Sequence, residues 1–368
     1  MEKSEHIFLI GDFDFSDFCS GPQKVSINLF SALSDKFNVL AFTYYQDGKK
    51  YGYFKKFFGI EEPVHNAFIS GIFPILKNII RYRPKVIHIT GFRRFTIVAL
   101  FLKHFLKYKL FYTVNGIVRY ENKFFRKESK FSMFENKIFE RLIFRFSDNI
   151  FYLSDDCLTM IKYYFPQTKA DFHLVENGVE KYFHSAAKVF SNSDTPLKIC
   201  FSSNVNKPEK GFDFFAEAIN KINFPVSLFV FSDNDISHQF NSNIKVIKYN
   251  LKSTGEYISV LNEVDIFITA SYYDNFNLSL VEAMSLGKIP IATRQTGASR
   301  FIREGINGFT YDYGDSKKLI DILSILNNDR SKCEDISKNA IKIYDTLSWN
   351  NVIKKYCYVY NKYLSPDE

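Results

Sequence analysis

The chain has 368 residues, 46% of them apolar, with 41 Phe and 23 Tyr against a single Trp. That length exceeds what one core normally supports, so two globular domains are expected. The net charge of +8 is unevenly spread: residues 1–185 carry 27 Lys and Arg against 19 Asp and Glu, whereas residues 186–368 carry 21 of each.

Within the first half, residues 51–150 hold 19 basic and 7 acidic side chains. Such a field either is a solvated lysine-rich surface or attracts an anionic one, phospholipid and lipid phosphate before nucleic acid, since no nucleic-acid-binding module is present. Cys19, Cys157, Cys200, Cys333 and Cys357 are scattered, with no CxxC pair. This argues against a disulfide scaffold or structural zinc and for a reducing compartment. The opening MEKSEHIFLIGDF lacks the apolar core of a leader peptide, and the run FTIVALFL falls far short of the ~20 residues that span a bilayer. A cytoplasmic protein is expected, at most peripheral on the inner membrane face.

Along the chain, short apolar runs alternate with helical periodicity. HIFLI (6–10) reads as a buried strand, followed by a Gly-Pro loop at 20–23 and a helix through KVSINLFSALSD. Strands follow at FNVLAFTYY, KVIHIT (85–90), LFYTVNG (110–116), NIFYLS (149–154) and DFHLVENG, with helices at about 93–108, 129–146 and 156–164. The polar stretch 184–196 reads as a linker. Beyond it, strands LKICFSS, VSLFVFS, NIKVIKY, VDIFITAS and KIPIAT alternate with helices, and the tail from Ser348 to Leu364 is one amphipathic helix. The pattern predicts an α/β chain of two Rossmann-like domains with parallel sheets: 1–185, 186–346, and a terminal helix, 347–368, returning to the first domain. A ligand cleft is expected between them, beyond the carboxyl ends of the strands.

Residues 268–315 are the most informative. They read as strand, loop, helix, strand, Gly loop and Gly turn. A helix beginning near Asn277 would offer the backbone N–H groups of Asn277, Leu278 and Ser279 to an anion such as a diphosphate. Asp274 precedes that helix and Glu282 lies within it, so one carboxylate can face a sugar and the other a ribose. Thr296-Gly297 would bring the backbone close to the ligand a second time.

This stretch resembles the donor-site signature of glycosyltransferase family 4, retaining enzymes of the GT-B fold. Glu282-Ala283-Met284, Gly287-Lys288-Ile289-Pro290 and Gly305-Ile306-Asn307-Gly308 match the family pattern in order and spacing, with Asp274 where the first Glu is usual. Lys210, in Lys207-Pro208-Glu209-Lys210-Gly211, resembles the family lysine that grips the donor diphosphate. Gly21, in SGPQKVSINLFSAL, resembles the acceptor-side Gly loop; Glu176-Asn177-Gly178-Val179 resembles the turn ending the first domain. Three positions depart from the pattern: Asn204 stands for an Arg, Asn115 (before Gly116) for a His, and Arg300 for a Glu. Lys207, Arg294 or Arg300 could supply the charge missing at Asn204.

The resemblance implies transfer from a nucleotide-sugar donor to a saccharide acceptor, lipid-linked and part of bacterial surface polysaccharide assembly, without a metal or further cofactor. Lys210 and the Asn277–Ser279 helix start would bind the diphosphate, Glu282 the ribose, and Asp274 and Asn115 the sugar. Asp233-Asn234-Asp235 reads as a polar turn, His88 as a core histidine, and Asp155-Asp156 as the first turn of a helix capped by Ser154. Two other readings fit the same residues: a GT-B protein without catalysis that binds a glycan or partner, and a nucleotide-sugar epimerase.

Overall fold

The computed structural model describes residues 6–13, 19–43, 62–64, 67–69, 72–91, 96–125, 129–191, 195–232 and 234–364. The chain divides into two units, Met1–Glu176 with Asn350–Glu368, and Asn177–Trp349.

In the first unit, eight strands form one sheet: β1 (His6–Gly11), β2 (Asn38–Thr43), β3 (Glu62–Val64), β4 (Ala67–Ile69), β5 (Val86–Ile89), β6 (Lys109–Thr113), β7 (Asn149–Tyr152) and β8 (Asp171–Leu174). Their order is β3-β4-β2-β1-β5-β6-β7-β8. Strands β1, β5 and β7 are buried along almost their whole length because both faces of the sheet are covered. Helices Ile72–Tyr82, Ile97–Leu106, Lys130–Phe146 and Asp155–Tyr164 cover one face, burying Ile75, Leu100, Ile143 and Ile161 against Phe8, Ile87 and Tyr112. The helix Trp349–Leu364 covers the other, where Tyr360 lies against His88 and Phe111. His88 is fully buried between Tyr360 Oη, 2.6 Å from Nδ1, and Thr113 Oγ1, 2.8 Å from Nε2. It is the core histidine the strand pattern suggests.

The second unit holds a six-stranded parallel sheet of β9 (Leu197–Ser202), β10 (Val226–Phe231), β11 (Ile244–Tyr249), β12 (Ile266–Thr269), β13 (Ile289–Thr293) and β14 (Phe309–Tyr311), ordered β11-β10-β9-β12-β13-β14. Its core gathers Phe201, Phe215, Leu228, Ile268, Ile291 and Leu323.

Several local expectations change. The Gly-Pro loop at 20–23 is the first turn of the Gly21–Ser34 helix, where the Ser20 N–H and hydroxyl both donate to Gln23 Oε1. Proline is tolerated there because a first-turn N–H has no partner inside the helix. The described part of the stretch 184–196, read as a linker, packs on the second unit. Phe190 is buried in the second core, its N–H donating to Ser337 Oγ, and Lys188 O accepts from Lys288 Nζ. Strands β3 and β4 pair antiparallel at the edge of the first sheet, and helices Ile72–Tyr82 and Val118–Phe124 add to those anticipated. Residues 93–95 of the expected 93–108 helix lie outside the described residues; the described part begins at Ile97.

Candidate functional site

In the second unit the chain leaves β9 in one direction through β10 and β11, then returns to the other side through β12, β13 and β14. The reversal falls between β9 and β12, and the loops beyond their carboxyl ends meet there, the usual ligand position of an open α/β sheet. After β9, a short 3-10 turn, Pro208–Lys210, ends at Gly211 with φ of 68°. A Cβ on Gly211 would meet Ala270 O at 2.0 Å, so only glycine lets this loop lie against the β12 loop. The Tyr272 N–H donates to Glu209 O at 2.8 Å, locking the two loops together. Lys210 Nζ is thereby held 2.6 Å from Asp274 Oδ2.

Asp274 is also fixed through its backbone. Its N–H donates to Gln295 O at 3.2 Å, and its carbonyl accepts from the Gly297 N–H at 2.8 Å. Thr296 and Gly297 are thus brought beside Asp274, but the close approach at Gly297 is to protein: a Cβ there would meet Asn275 O at 2.1 Å. Thr296 is buried, its hydroxyl 3.1 Å from Thr293 Oγ1.

The Leu278–Ser285 helix begins directly after this loop. Asn277 caps it with φ of 69°, a left-handed conformation asparagine tolerates, and its Oδ1 accepts from the Leu280 N–H at 3.0 Å. Leu278 and Ser279 occupy the first turn, where backbone N–H groups have no intrahelical acceptor. One turn on, Glu282 is only 1% exposed, buried within the helix rather than solvated. Its negative charge helps raise the pKa of Tyr257, a shift caused first by burial of that phenol.

Asn204 is exposed at the rim. Its Oδ1 accepts from the Asn206 N–H at 2.9 Å and from Asn234 Nδ2 at 3.1 Å. Of the cations offered as substitutes for the family Arg, Arg294 is engaged with Asp312 at 2.9 Å, Arg300 lies over the Phe301 ring and Lys207 is exposed. Asp233 lies outside the described residues; Asp235 pairs with Lys248 at 2.8 Å.

Asn115 and Gly21 belong to the first unit, whose sheet reverses between β1 and β5. Asn115 Nδ2 donates to Thr90 O at 2.8 Å, beyond the end of β5, and Thr90 Oγ1 lies 2.9 Å from Ser26 Oγ. Gly21 starts the helix carrying Ser26, with nothing within 4 Å of a Cβ placed on it. The loop after Asn115 is held by Glu140, whose Oε1 and Oε2 accept from the N–H groups of Val118 and Arg119 at 2.7 and 2.9 Å. Burial pushes the Glu140 carboxyl up to about 8 against the lowering effect of those donors. Glu140 escaped the sequence reading, although it falls on one helical stripe with the buried Ile143 and Phe144, an unusual place for a carboxylate. Among the described residues, no three His, Cys, Asp or Glu side chains converge as metal ligands would.

Two Rossmann-like sheets, the second parallel throughout and the first parallel but for its β3–β4 edge, define the chain as an α/β protein of the GT-B fold. Residues 185–343 match the model of the family Glycosyl transferases group 1. Sucrose synthase 6 of Arabidopsis thaliana is 31% identical over 104 residues, 27% of this chain and 11% of that one. The capsular polysaccharide biosynthesis glycosyltransferase CapM of Staphylococcus aureus is 28% identical over 129 residues, 35% of this chain and 33% of that one. These matches therefore span between about a tenth and a third of those curated relatives' lengths. A crystal structure of Anabaena Alr3699/HepE in complex with UDP-glucose superposes with a TM-score of 0.70 at 16% identity, covering 97% of this chain and 99% of that one.

Proposed function

We propose that the protein is a retaining glycosyltransferase that moves a hexose from a nucleotide sugar to a saccharide acceptor. The observation that carries this reading is the convergence of Lys210, Asp274 and the start of the Leu278–Ser285 helix at the switch point of a group 1 glycosyltransferase domain. The ammonium of Lys210 and the N–H groups of Leu278 and Ser279 supply positive potential where a diphosphate leaving group gains charge. Glu282 accepts hydrogen bonds from ribose hydroxyls, and Asp274 orients the sugar. Thr296 and Gly297 act by holding Asp274 rather than by touching the donor. In the first unit, Asn115 and the Gly21 end of its helix face the acceptor.

Retention follows if the leaving diphosphate departs ahead of attack on the same face and takes up the acceptor proton. Charge balance comes from Lys210 and backbone dipoles, so no divalent metal is required. The acceptor is a lipid-linked saccharide of surface polysaccharide assembly, a reading that the basic first half and the likeness to the capsular enzyme support. The donor contains a nucleoside diphosphate, as does the ligand in the Anabaena structure. Incubating the protein with a panel of UDP-, ADP- and GDP-sugars and a lipid-linked saccharide fraction tests the proposal. Release of nucleoside diphosphate together with an elongated, anomerically retained product is expected. Turnover of no donor in the panel, or a free epimer formed without acceptor, would contradict it.

A further inference from the structure

Three neighbouring helices of the first unit, Ile72–Tyr82, Ile97–Leu106 and Lys130–Phe146, form one layer on one face of the sheet, each turning an apolar stripe inward. Their outward sides are apolar as well. Phe101, Phe105 and Phe134 are 65%, 68% and 62% exposed, and Phe73, Ile80 and Ile138 are also exposed. The rings of Phe101 and Phe105, one helical turn apart, lie 5.3 Å from each other. Water is a poor environment for so many large apolar groups, and clustered exposure of this kind marks a contact surface.

The charge on the same side has one sign. Lys77, Arg81, Lys137, Arg141 and Arg145 are exposed. The first two helices contain no Asp or Glu, and in the third Glu140 is buried and Glu135 half-buried. Lys103, one of the 19 basic residues of 51–150, turns inward and pairs with Asp148 at 2.8 Å.

We propose that this three-helix surface docks the protein on an anionic phospholipid bilayer. The exposed phenylalanines enter the headgroup boundary while Lys137, Arg141, Arg145, Lys77 and Arg81 meet lipid phosphates. Bulky aromatic and aliphatic groups among unopposed cations suit that interface. A nucleic acid would use the cations but leave Ile80 and Ile138 without a partner. The surface supplies the partner that a lipid-linked acceptor calls for, and rests on the glycosyltransferase reading only for its purpose.

Sedimentation of the full chain with vesicles of phosphatidylglycerol or of phosphatidylcholine tests it, with UDP binding measured on the same samples. Wild type should pellet with phosphatidylglycerol at low salt, be released as salt rises, and bind phosphatidylcholine far less. Combining Lys137→Glu, Arg141→Glu and Arg145→Glu should lower the partition coefficient at least about 100-fold, and Phe101→Ser with Phe105→Ser about tenfold. UDP binding and the melting transition should stay unchanged in both variants. Equal binding to the two lipids, binding to neither, full retention by both variants, or preference for single-stranded RNA over phosphatidylglycerol would overturn the assignment. Vesicle binding without binding of UDP, ADP or GDP would instead count against the donor-site reading and leave this surface standing.

Discussion

Lys210 Nζ donates to Asp274 Oδ2 across 2.6 Å, joining residues 64 positions apart through two loops that Gly211 allows to touch. The two side chains are 22% and 14% exposed, so each charge is held largely away from water and the partnership matters to both. A diphosphate approaching Lys210 would compete with Asp274 for the ammonium and leave the carboxylate able to accept from a sugar hydroxyl.

Lys210→Ala should therefore do two separable things. It strips Asp274 of its counter-charge, costing about 1–3 kcal/mol of stability, and it removes a stabilising group from the leaving diphosphate, costing about 100-fold or more in turnover. Adding Asp274→Asn should return most of the stability in urea melts but none of the activity. Recovery of both together would reduce Lys210 to a structural ion pair.

Glu282 is buried on the helix that follows. Glu282→Ala should weaken nucleotide binding, and Glu282→Gln less so, because the amide oxygen still accepts from a hydroxyl. Unchanged calorimetric affinity in both variants would make Glu282 a packing residue.

Burial pushes His88 down from 6.5 to about 3. Its folded pKa is depressed, so its contribution to stability is complete above pH 6.5 and is lost as the pH falls toward 3. The loss reaches about 1.4 kcal/mol for each pH unit in that window. His88→Gln should flatten the acid limb of a stability profile measured by denaturant melts between pH 7 and 4. An unaltered slope would show that the imidazole is solvated in the native state.

Glu140 shifts the other way, up to about 8. Its folded form holds a proton more tightly than the unfolded chain, so its share of stability is present below about pH 4.5 and declines as the pH rises to 8. The stability advantage of wild type over Glu140→Gln should narrow across that range. Glu140→Ala, which leaves the Val118 and Arg119 N–H groups without their acceptor, should cost about 1–3 kcal/mol. Denaturant melts of all three proteins check both statements.

The sequence made the second unit far more legible than the first. Around Asp274, Asn277 and Glu282 the chemistry sits in one stretch of forty residues, so order and spacing alone bring it into view. What could not be read is the partner each residue chooses. Lys210 and Asp274 are remote in sequence, and nothing in the sequence shows that the Gly297 Cα packs against the Asn275 carbonyl, which would lie 2.1 Å from a Cβ there. In the first unit, Pro22 suggested a loop where it serves as a helix start, and the basic excess of residues 51–150 includes Lys103, which reaches back to Asp148. Net charge counts residues without saying which way they point.

Titration of nucleoside diphosphates and nucleotide sugars into wild type and Lys210→Ala, followed by calorimetry, tests the central claim most directly. At least one such ligand should bind wild type with one site per chain, and Lys210→Ala should weaken it tenfold or more, a difference of about 1.4 kcal/mol or greater. Affinity indifferent to Lys210, or no binding by any nucleotide in the panel, would contradict a donor site at the Lys210–Asp274 junction.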